Sequence, residues 1–180
     1  MDTISRSKKL RAAGTVLVSV AVLAGASLAG ASGSEKQNRK DLARAKKVTA
    51  RFHNEAAAID AGYMRTDECV ELEGAGGMGF HYVKPSLMDG SVSVEQPEIL
   101  LFMQEPNGKR RLVGLEYLTI DADQDLSTDD DRPSLFGVPF DGPMPGHGPG
   151  MPVHYDLHVW LWKKNPSGLF AVWNPKFACP

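Results

Sequence analysis

Cysteine is scarce in this chain, whose 180 residues hold only two, Cys69 and Cys179. So few thiols exclude a disulfide-dense miniprotein and a zinc site built from four thiolates. A strong charge of one sign is also lacking, because 20 Lys and Arg stand against 22 Asp and Glu. This balance argues against a nucleic-acid-binding protein, which normally carries a basic face or tail.

Several catalytic and ligand-binding sequence patterns are missing as well. The Gly-rich segment 73–79 is followed by neither Lys-Ser nor Lys-Thr, which excludes a nucleotide phosphate loop. No G-x-S-x-G pattern of a hydrolase nucleophile is present. Segment 121–132 begins like a calcium loop, but Leu126 and Arg132 occupy the positions that require Gly and a bidentate Glu. A solvated acidic loop is therefore the favoured interpretation.

Residues 1–31 have the pattern of a secretory signal peptide. Residues 12–31 carry no charge and end in Ala29-Gly30-Ala31, a small-residue cleavage pattern. Four basic residues form the preceding n-region: Arg6, Lys8, Lys9 and Arg11. An uncleaved membrane anchor is the alternative, since about 20 uncharged residues can span a bilayer. Cleavage predicts a secreted or extracytoplasmic protein without stable membrane insertion.

Removal of this leader would change the charge and the redox setting of the chain. The leader holds four basic residues and one acidic residue, so the remainder has a net charge of −5. That charge disfavours binding to nucleic acid. An oxidising compartment predicts a disulfide between Cys69 and Cys179. A pair of catalytic or metal-binding thiols is the less favoured alternative, because no C-x-x-C pattern is present.

The remaining chain reads as a flexible entry at residues 32–40 and a single α+β domain at residues 41–180. Apolar residues recur every three or four positions over 41–64, which predicts an N-terminal amphipathic helix. The segments 73–79 and 133–152 are predicted as loops because they are rich in Gly and Pro. We expect this helix to pack on an antiparallel sheet of about five strands.

Apolar runs predict the strands of that sheet. They lie at residues 80–83, 99–103, 112–120, 155–162 and 169–173. Asn107-Gly108 between two of these runs predicts a β-hairpin, since both residues tolerate positive φ. The last two runs are predicted to form a second hairpin around the turn at 165–168.

The strand segment 154–162, which extends the apolar run 155–162 by one residue, carries the most specific candidate site. Alternation places Tyr155, Leu157, Val159 and Leu161 on an apolar face. It places three potential metal ligands on the opposite face: His154, Asp156 and His158. With His81 from another strand, these residues predict a site for Zn or Cu. The alternative is that the histidines are packed, hydrogen-bonded parts of the sheet.

Two further sets of residues are weaker candidates. Met144, His147, Met151 and His154 combine thioethers with imidazoles, which suits copper, although a Pro/Gly-rich loop offers little fixed geometry. Glu116, on a central strand, is the best isolated carboxylate for acid–base chemistry. Its alternative is an outward-facing residue on a half-solvated sheet.

Four segments resemble a group of small exported bacterial proteins of unassigned function. They are G-G-M-G-F-H-Y at 76–82, P-E-I-L-L-F at 97–102, L-V-G-L-E-Y at 112–117, and the Trp-rich segment 157–175. The resemblance implies a secreted bacterial protein with its terminal Cys paired. It carries no activity and no catalytic residue.

The sequence thus leads to three hypotheses of function. The first is an exported protein that binds a small ligand or a metal ion at the His-bearing sheet face. The second is an extracellular hydrolase-like enzyme that uses Glu116 and a histidine, which requires those groups to converge. The third is a non-catalytic protein that interacts with a partner of the cell envelope.

Overall fold

The computed structural model describes residues 26–148 and 150–180, with side chains from Ser32 onward. Helix α1 spans Ala26–Thr49 and runs into a 3-10 turn at Ala50–His53. Helix α2, Glu55–Asp60, follows after a break at Asn54. Residues 1–25 of the predicted signal peptide lie outside the described residues, as do the side chains of its remaining six.

The helical prediction is correct in place but wrong in extent. Residues 32–40, predicted as a flexible entry, lie within α1, because their Lys, Gln, Arg and Glu side chains favour a helix. The predicted single helix 41–64 is broken at Asn54, whose extended backbone lets its side chain accept a hydrogen bond from the Ala56 N–H at 3.2 Å. The helical region ends near Gly62, which has φ +91°.

Within the described residues, six antiparallel strands form one sheet in the order β1-β2-β3-β4-β8-β7. Their bounds are β1 Met64–Leu72, β2 Gly76–Val83, β3 Ile99–Gln104, β4 Arg110–Ile120, β7 Asp141–Met144 and β8 His154–Val159. The short strands β5, Ser134–Leu135, and β6, Val138–Pro139, pair separately. The α+β class is confirmed, with six strands in the sheet where about five were predicted.

The hairpin predicted at Asn107-Gly108 is confirmed between β3 and β4. The Glu105 N–H donates to the Lys109 carbonyl at 2.8 Å and closes the loop. Gly108 has φ +80°, whereas Asn107 contributes through its side chain, which accepts from the Lys109 N–H at 2.9 Å. One residue of the pair therefore supplies the left-handed backbone and the other a local hydrogen bond.

The second predicted hairpin, between 155–162 and 169–173, is wrong. Strand β8 pairs with β4 on one side and with β7 on the other, so both of its edges are occupied. Strand β7 lies in the Pro/Gly-rich segment 133–152, which was predicted as a loop. Segment 169–173 is irregular, although the Trp160 N–H still donates to the Leu169 carbonyl at 2.9 Å.

The sheet separates two apolar clusters. The helices cover one face, where Ala45, Phe52 and Ala58 pack with the strand residues. Tyr155, Leu157 and Val159 belong to this core, with Leu161 packed against it, which confirms the predicted alternation of β8. The opposite face carries a smaller cluster of Ile99, Leu101, Val113, Leu118 and Trp160.

The C-terminal segment closes against β2. Gly77 and Asn174 exchange two backbone hydrogen bonds, at 3.2 and 3.1 Å. Part of the predicted flexible loop 73–79 therefore belongs to strand β2, and a disulfide joins Cys69 of β1 to Cys179 as predicted. In the part of the chain described, no helix is both long and apolar enough to cross a membrane.

Candidate metal centre

Three strands bring the side chains of His81, Glu116 and His158 together. These residues lie on β2, β4 and β8, and Glu116 pairs directly with His158 in the register. Ile99 on β3 also pairs with Glu116, and Leu101 on β3 pairs with His81, so His81 reaches Glu116 diagonally across β3. One donor atom from each of the three residues lies within 4.8 Å of the others.

The cluster is withdrawn from water and short of hydrogen bonds. The His81 Nε2 atom lies 3.1 Å from Glu116 Oε2, and His158 Nε2 lies 3.7 Å from the same oxygen. Glu116 is 5% exposed and His158 is 1% exposed. Glu116 Oε2 and both ring nitrogens of His158 are buried without a well-aligned hydrogen-bond partner in the part of the chain that the structure describes. Buried polar atoms in this condition destabilise the fold unless something else satisfies them.

Asp156 lies on the far side of His158 from Glu116. Its Oδ1 atom is 3.5 Å from His158 Nδ1. A histidine that binds a metal through one ring nitrogen commonly directs the other toward a carboxylate, which fixes the tautomer and the ring orientation. Asp156 therefore stands where a carboxylate would orient His158 with its Nε2 atom toward Glu116.

Charge within the cluster is balanced by the residues themselves. Burial alone would raise the pKa of Glu116, but the facing imidazoles of His158 and His81 lower it well below the usual range. Burial also lowers the pKa of His158, yet the negative charges of Glu116, Asp156 and Asp141 outweigh this effect and raise it. Without a metal, the cluster thus favours a carboxylate beside a protonated imidazole, and a bound cation would take the place of that proton.

Not all of the predicted ligands join this cluster. His81 and His158 belong to it, and Asp156 touches it through His158. His154 does not contribute a donor atom to the group of three found among the described residues. Its Nδ1 atom lies 3.1 Å from the Pro152 carbonyl oxygen, and its ring contacts that of His147 at 5.0 Å.

A cavity of about 500 Å³ opens over the three donor residues, all of which line it. His147 and Met151, from the second candidate set, also line this cavity. Met151 Sδ accepts a hydrogen bond from the His147 N–H at 3.4 Å, which holds this part of the loop together. Val70, Met78, Val83, Ile99 and Trp173 supply most of the apolar wall.

Glu116 was predicted as an acid–base candidate and missed as a ligand. The sequence did contain a signal, since Glu116 is the one charged residue in the otherwise uncharged run 112–120. The sequence does not reveal the strand register, which pairs Glu116 with His158 and brings His81 close to both. The convergence of Glu116 with a histidine, which the enzymatic hypothesis requires, is present in the structure.

Comparison with protein families, with curated proteins and with solved structures finds no match for this chain.

Proposed function

We propose that this protein binds one Zn²⁺ ion through His81, Glu116 and His158. Two imidazoles and one carboxylate form a ligand set found in zinc enzymes, which leaves one coordination position for water or substrate. The observation that carries the proposal is the convergence of three donor atoms within 4.8 Å at a buried point. There, Glu116 Oε2 and both ring nitrogens of His158 have no well-aligned hydrogen-bond partner among the described residues.

A purely structural role for these residues fits the geometry less well. A packing histidine is normally satisfied by a hydrogen bond, yet neither ring nitrogen of His158 has a well-aligned one from the described residues. A metal ion would satisfy His158 Nε2 and Glu116 Oε2 together, and Asp156 would then accept from His158 Nδ1. The same set of contacts thus favours metal binding over packing.

The donor types favour Zn²⁺ as the ion. Nitrogen and carboxylate oxygen ligands suit Zn²⁺, while copper(I) selects the thioethers and thiolates that are not part of the cluster. Cu²⁺ binds most nitrogen sites more tightly than Zn²⁺ does in simple competition, so competition alone would not identify the physiological metal. Direct analysis of the protein purified from its source is needed for that.

A metal-dependent hydrolase is the second candidate. A zinc ion with three protein ligands can lower the pKa of its fourth ligand, water, and so generate a nucleophile near neutral pH. The cavity over the three donors favours this candidate, because it would give a substrate access to that water.

We also infer that the protein works outside the cytoplasm. The Cys69–Cys179 disulfide supports this inference, because such bonds persist mainly in oxidising compartments. The signal-peptide pattern of residues 1–31 supports it independently.

The test is a calorimetric titration of the chelator-treated protein with Zn²⁺. We expect one equivalent to bind, and affinity to fall at least 100-fold in His81→Ala and in Glu116→Gln. Asp156→Asn should reduce Zn²⁺ affinity about 10- to 100-fold, because Asp156 orients the ligand His158 and does not itself bind the metal. Elemental analysis of the untreated protein identifies the metal it carries.

His53→Ala is the matched control for these variants. His53 is exposed on the 3-10 turn and contacts Trp162, away from the cavity, so its loss should leave Zn²⁺ affinity unchanged. Glu116→Gln preserves side-chain volume, which separates loss of a ligand from loss of packing. Absence of saturable uptake, or equal affinity in all variants, would show that the cluster is not a metal site.

A further inference from the structure

The cavity wall around the cluster is mainly apolar, whereas the cluster itself is polar. Val70, Met78 and Trp173 are among the apolar residues that line it. Its charged members are the carboxylates Glu68, Glu116 and Asp156, and no Lys or Arg lines it among the described residues. Once a metal has replaced the proton of the cluster, an anionic ligand would therefore meet negative charge on the wall and no positive charge except that of the metal.

The position of the donors determines what the metal would present to this space. His81, Glu116 and His158 all come from the sheet, and the cavity lies over that same face. A metal ion held by three donors from one side keeps its remaining positions on the other side. Those positions would face the cavity.

We propose that the cavity binds a small uncharged molecule that combines an apolar body with a single neutral donor atom for the metal. The volume of about 500 Å³ is within the range of small-molecule sites, which run from about 300 to 1,000 Å³. The apolar body packs on the apolar wall, and the donor atom completes the coordination of the metal. This inference rests on the proposed function, since without the metal the donor has nothing to bind.

The experiment uses Co²⁺, which reports changes of coordination in its visible spectrum, and 4-phenylimidazole as the probe. The Co²⁺-loaded protein is titrated with 4-phenylimidazole and, separately, with phenylacetate, an anion of comparable size. We expect a saturable spectral change with 4-phenylimidazole and at least tenfold weaker binding of phenylacetate. Cobalt content is measured after each titration to confirm that the probe has not removed the metal.

A cavity-filling variant tests the location. Val70 lines the cavity from β1, and Val70→Trp should weaken 4-phenylimidazole at least tenfold while Co²⁺ uptake stays at one equivalent. Leu72→Trp is the control, because Leu72 lies on the same strand, is half exposed and is not part of the wall. Val70→Phe repeats the test with a smaller ring if the Trp variant fails to take up Co²⁺.

The outcomes separate this inference from the proposed function. If the parent protein takes up no Co²⁺ and no Zn²⁺, the proposed function fails. If Co²⁺ binds but 4-phenylimidazole leaves its spectrum unchanged, or if phenylacetate binds more tightly, only the cavity inference is overturned. Equal probe affinity in Val70→Trp and the parent would also overturn it.

Discussion

Glu116 owes its chemistry to neighbours that are distant in the sequence. His81 and His158 lie 35 and 42 positions away from it, and the strand register brings their Nε2 atoms to 3.1 and 3.7 Å from its Oε2 atom. Strand alternation in the sequence is enough to place His158 and Asp156 on one face. Alternation could not show that His154 is not part of the metal cluster, because the contacts of His154 with Pro152 and His147 depend on the path of a loop.

A second buried carboxylate, Glu98, makes the stability of the fold depend on pH. Glu98 is 1% exposed, and its Oε2 atom accepts a hydrogen bond from the Leu118 N–H at 3.1 Å. Burial raises the pKa of Glu98 to about 7, and the nearby charges of Asp89 and Glu116 add to the rise. The folded protein therefore holds this proton over a pH range in which the unfolded chain releases it, above about 4.3.

The free energy of unfolding should accordingly fall as pH rises from about 4.3 to 7, by up to roughly 3 kcal/mol from this residue. Glu98→Gln removes that effect, because glutamine keeps an acceptor for Leu118 and cannot ionise. Urea unfolding in the presence of a chelator should show the variant equal to the parent at pH 4 and more stable at pH 8. Glu73→Gln, in an exposed turn, is the control; the same difference at both pH values would contradict the prediction.

Strand β2 is shaped by its glycines, which allow other chain segments to approach it closely. A Cβ atom on Gly76 would lie 2.1 Å from the Asn174 carbonyl oxygen, and one on Gly77 would lie 2.2 Å from the Phe177 ring. The Gly-rich composition of 73–79 predicted a loop, whereas Gly76 and Gly77 belong to a strand and allow close approach of the C-terminal segment. Gly76 and Gly77 are in a strand because they pair with β1. In the same way, β7 pairs with the edge of β8 that was predicted to pair with 169–173.

Substitution at two glycines should separate backbone strain from collision. Gly76→Ala introduces a side chain at φ +105° and against the Asn174 backbone, whereas Gly74→Ala, at φ +79°, meets open space. We expect Gly74→Ala to lower the free energy of unfolding by about 1–2 kcal/mol, the usual cost of this backbone region. Gly76→Ala should cost clearly more, because the C-terminal segment must move away.

Urea unfolding of both variants measures the two costs. Circular dichroism in the aromatic range should also change for Gly76→Ala, since Trp173 adjoins Asn174. Equal destabilisation by the two substitutions would mean that the C-terminal segment is not held against β2.

At the scale of the whole molecule, the disulfide ties the edge strand β1 to the end of the chain over a separation of 110 residues. The sequence predicted this pair from the number of cysteines and the predicted compartment. It predicted the fold class and the β3–β4 hairpin as well, because these depend on local composition and turn chemistry. The strand order β1-β2-β3-β4-β8-β7 depends on long-range pairing, which one sequence does not reveal.

Removing the disulfide should destabilise the protein substantially. In the chain-entropy model a loop of about 100 residues contributes roughly 4–5 kcal/mol, with a typical range of about 2–5 kcal/mol for native disulfides. The double variant Cys69→Ser/Cys179→Ser should therefore show a much lower urea midpoint than the parent. Parent protein treated with reductant serves as the control and should match the variant, while an unchanged midpoint would contradict the prediction.

The same disulfide affects what proteolysis would do to the protein. His81, Glu116 and His158 all lie inside the ring of chain closed by Cys69 and Cys179. Residues 122–131 form an exposed stretch of that ring and offer a site for cleavage. A single cut there would open the ring without releasing either piece, so all three donor residues would remain in one covalent molecule.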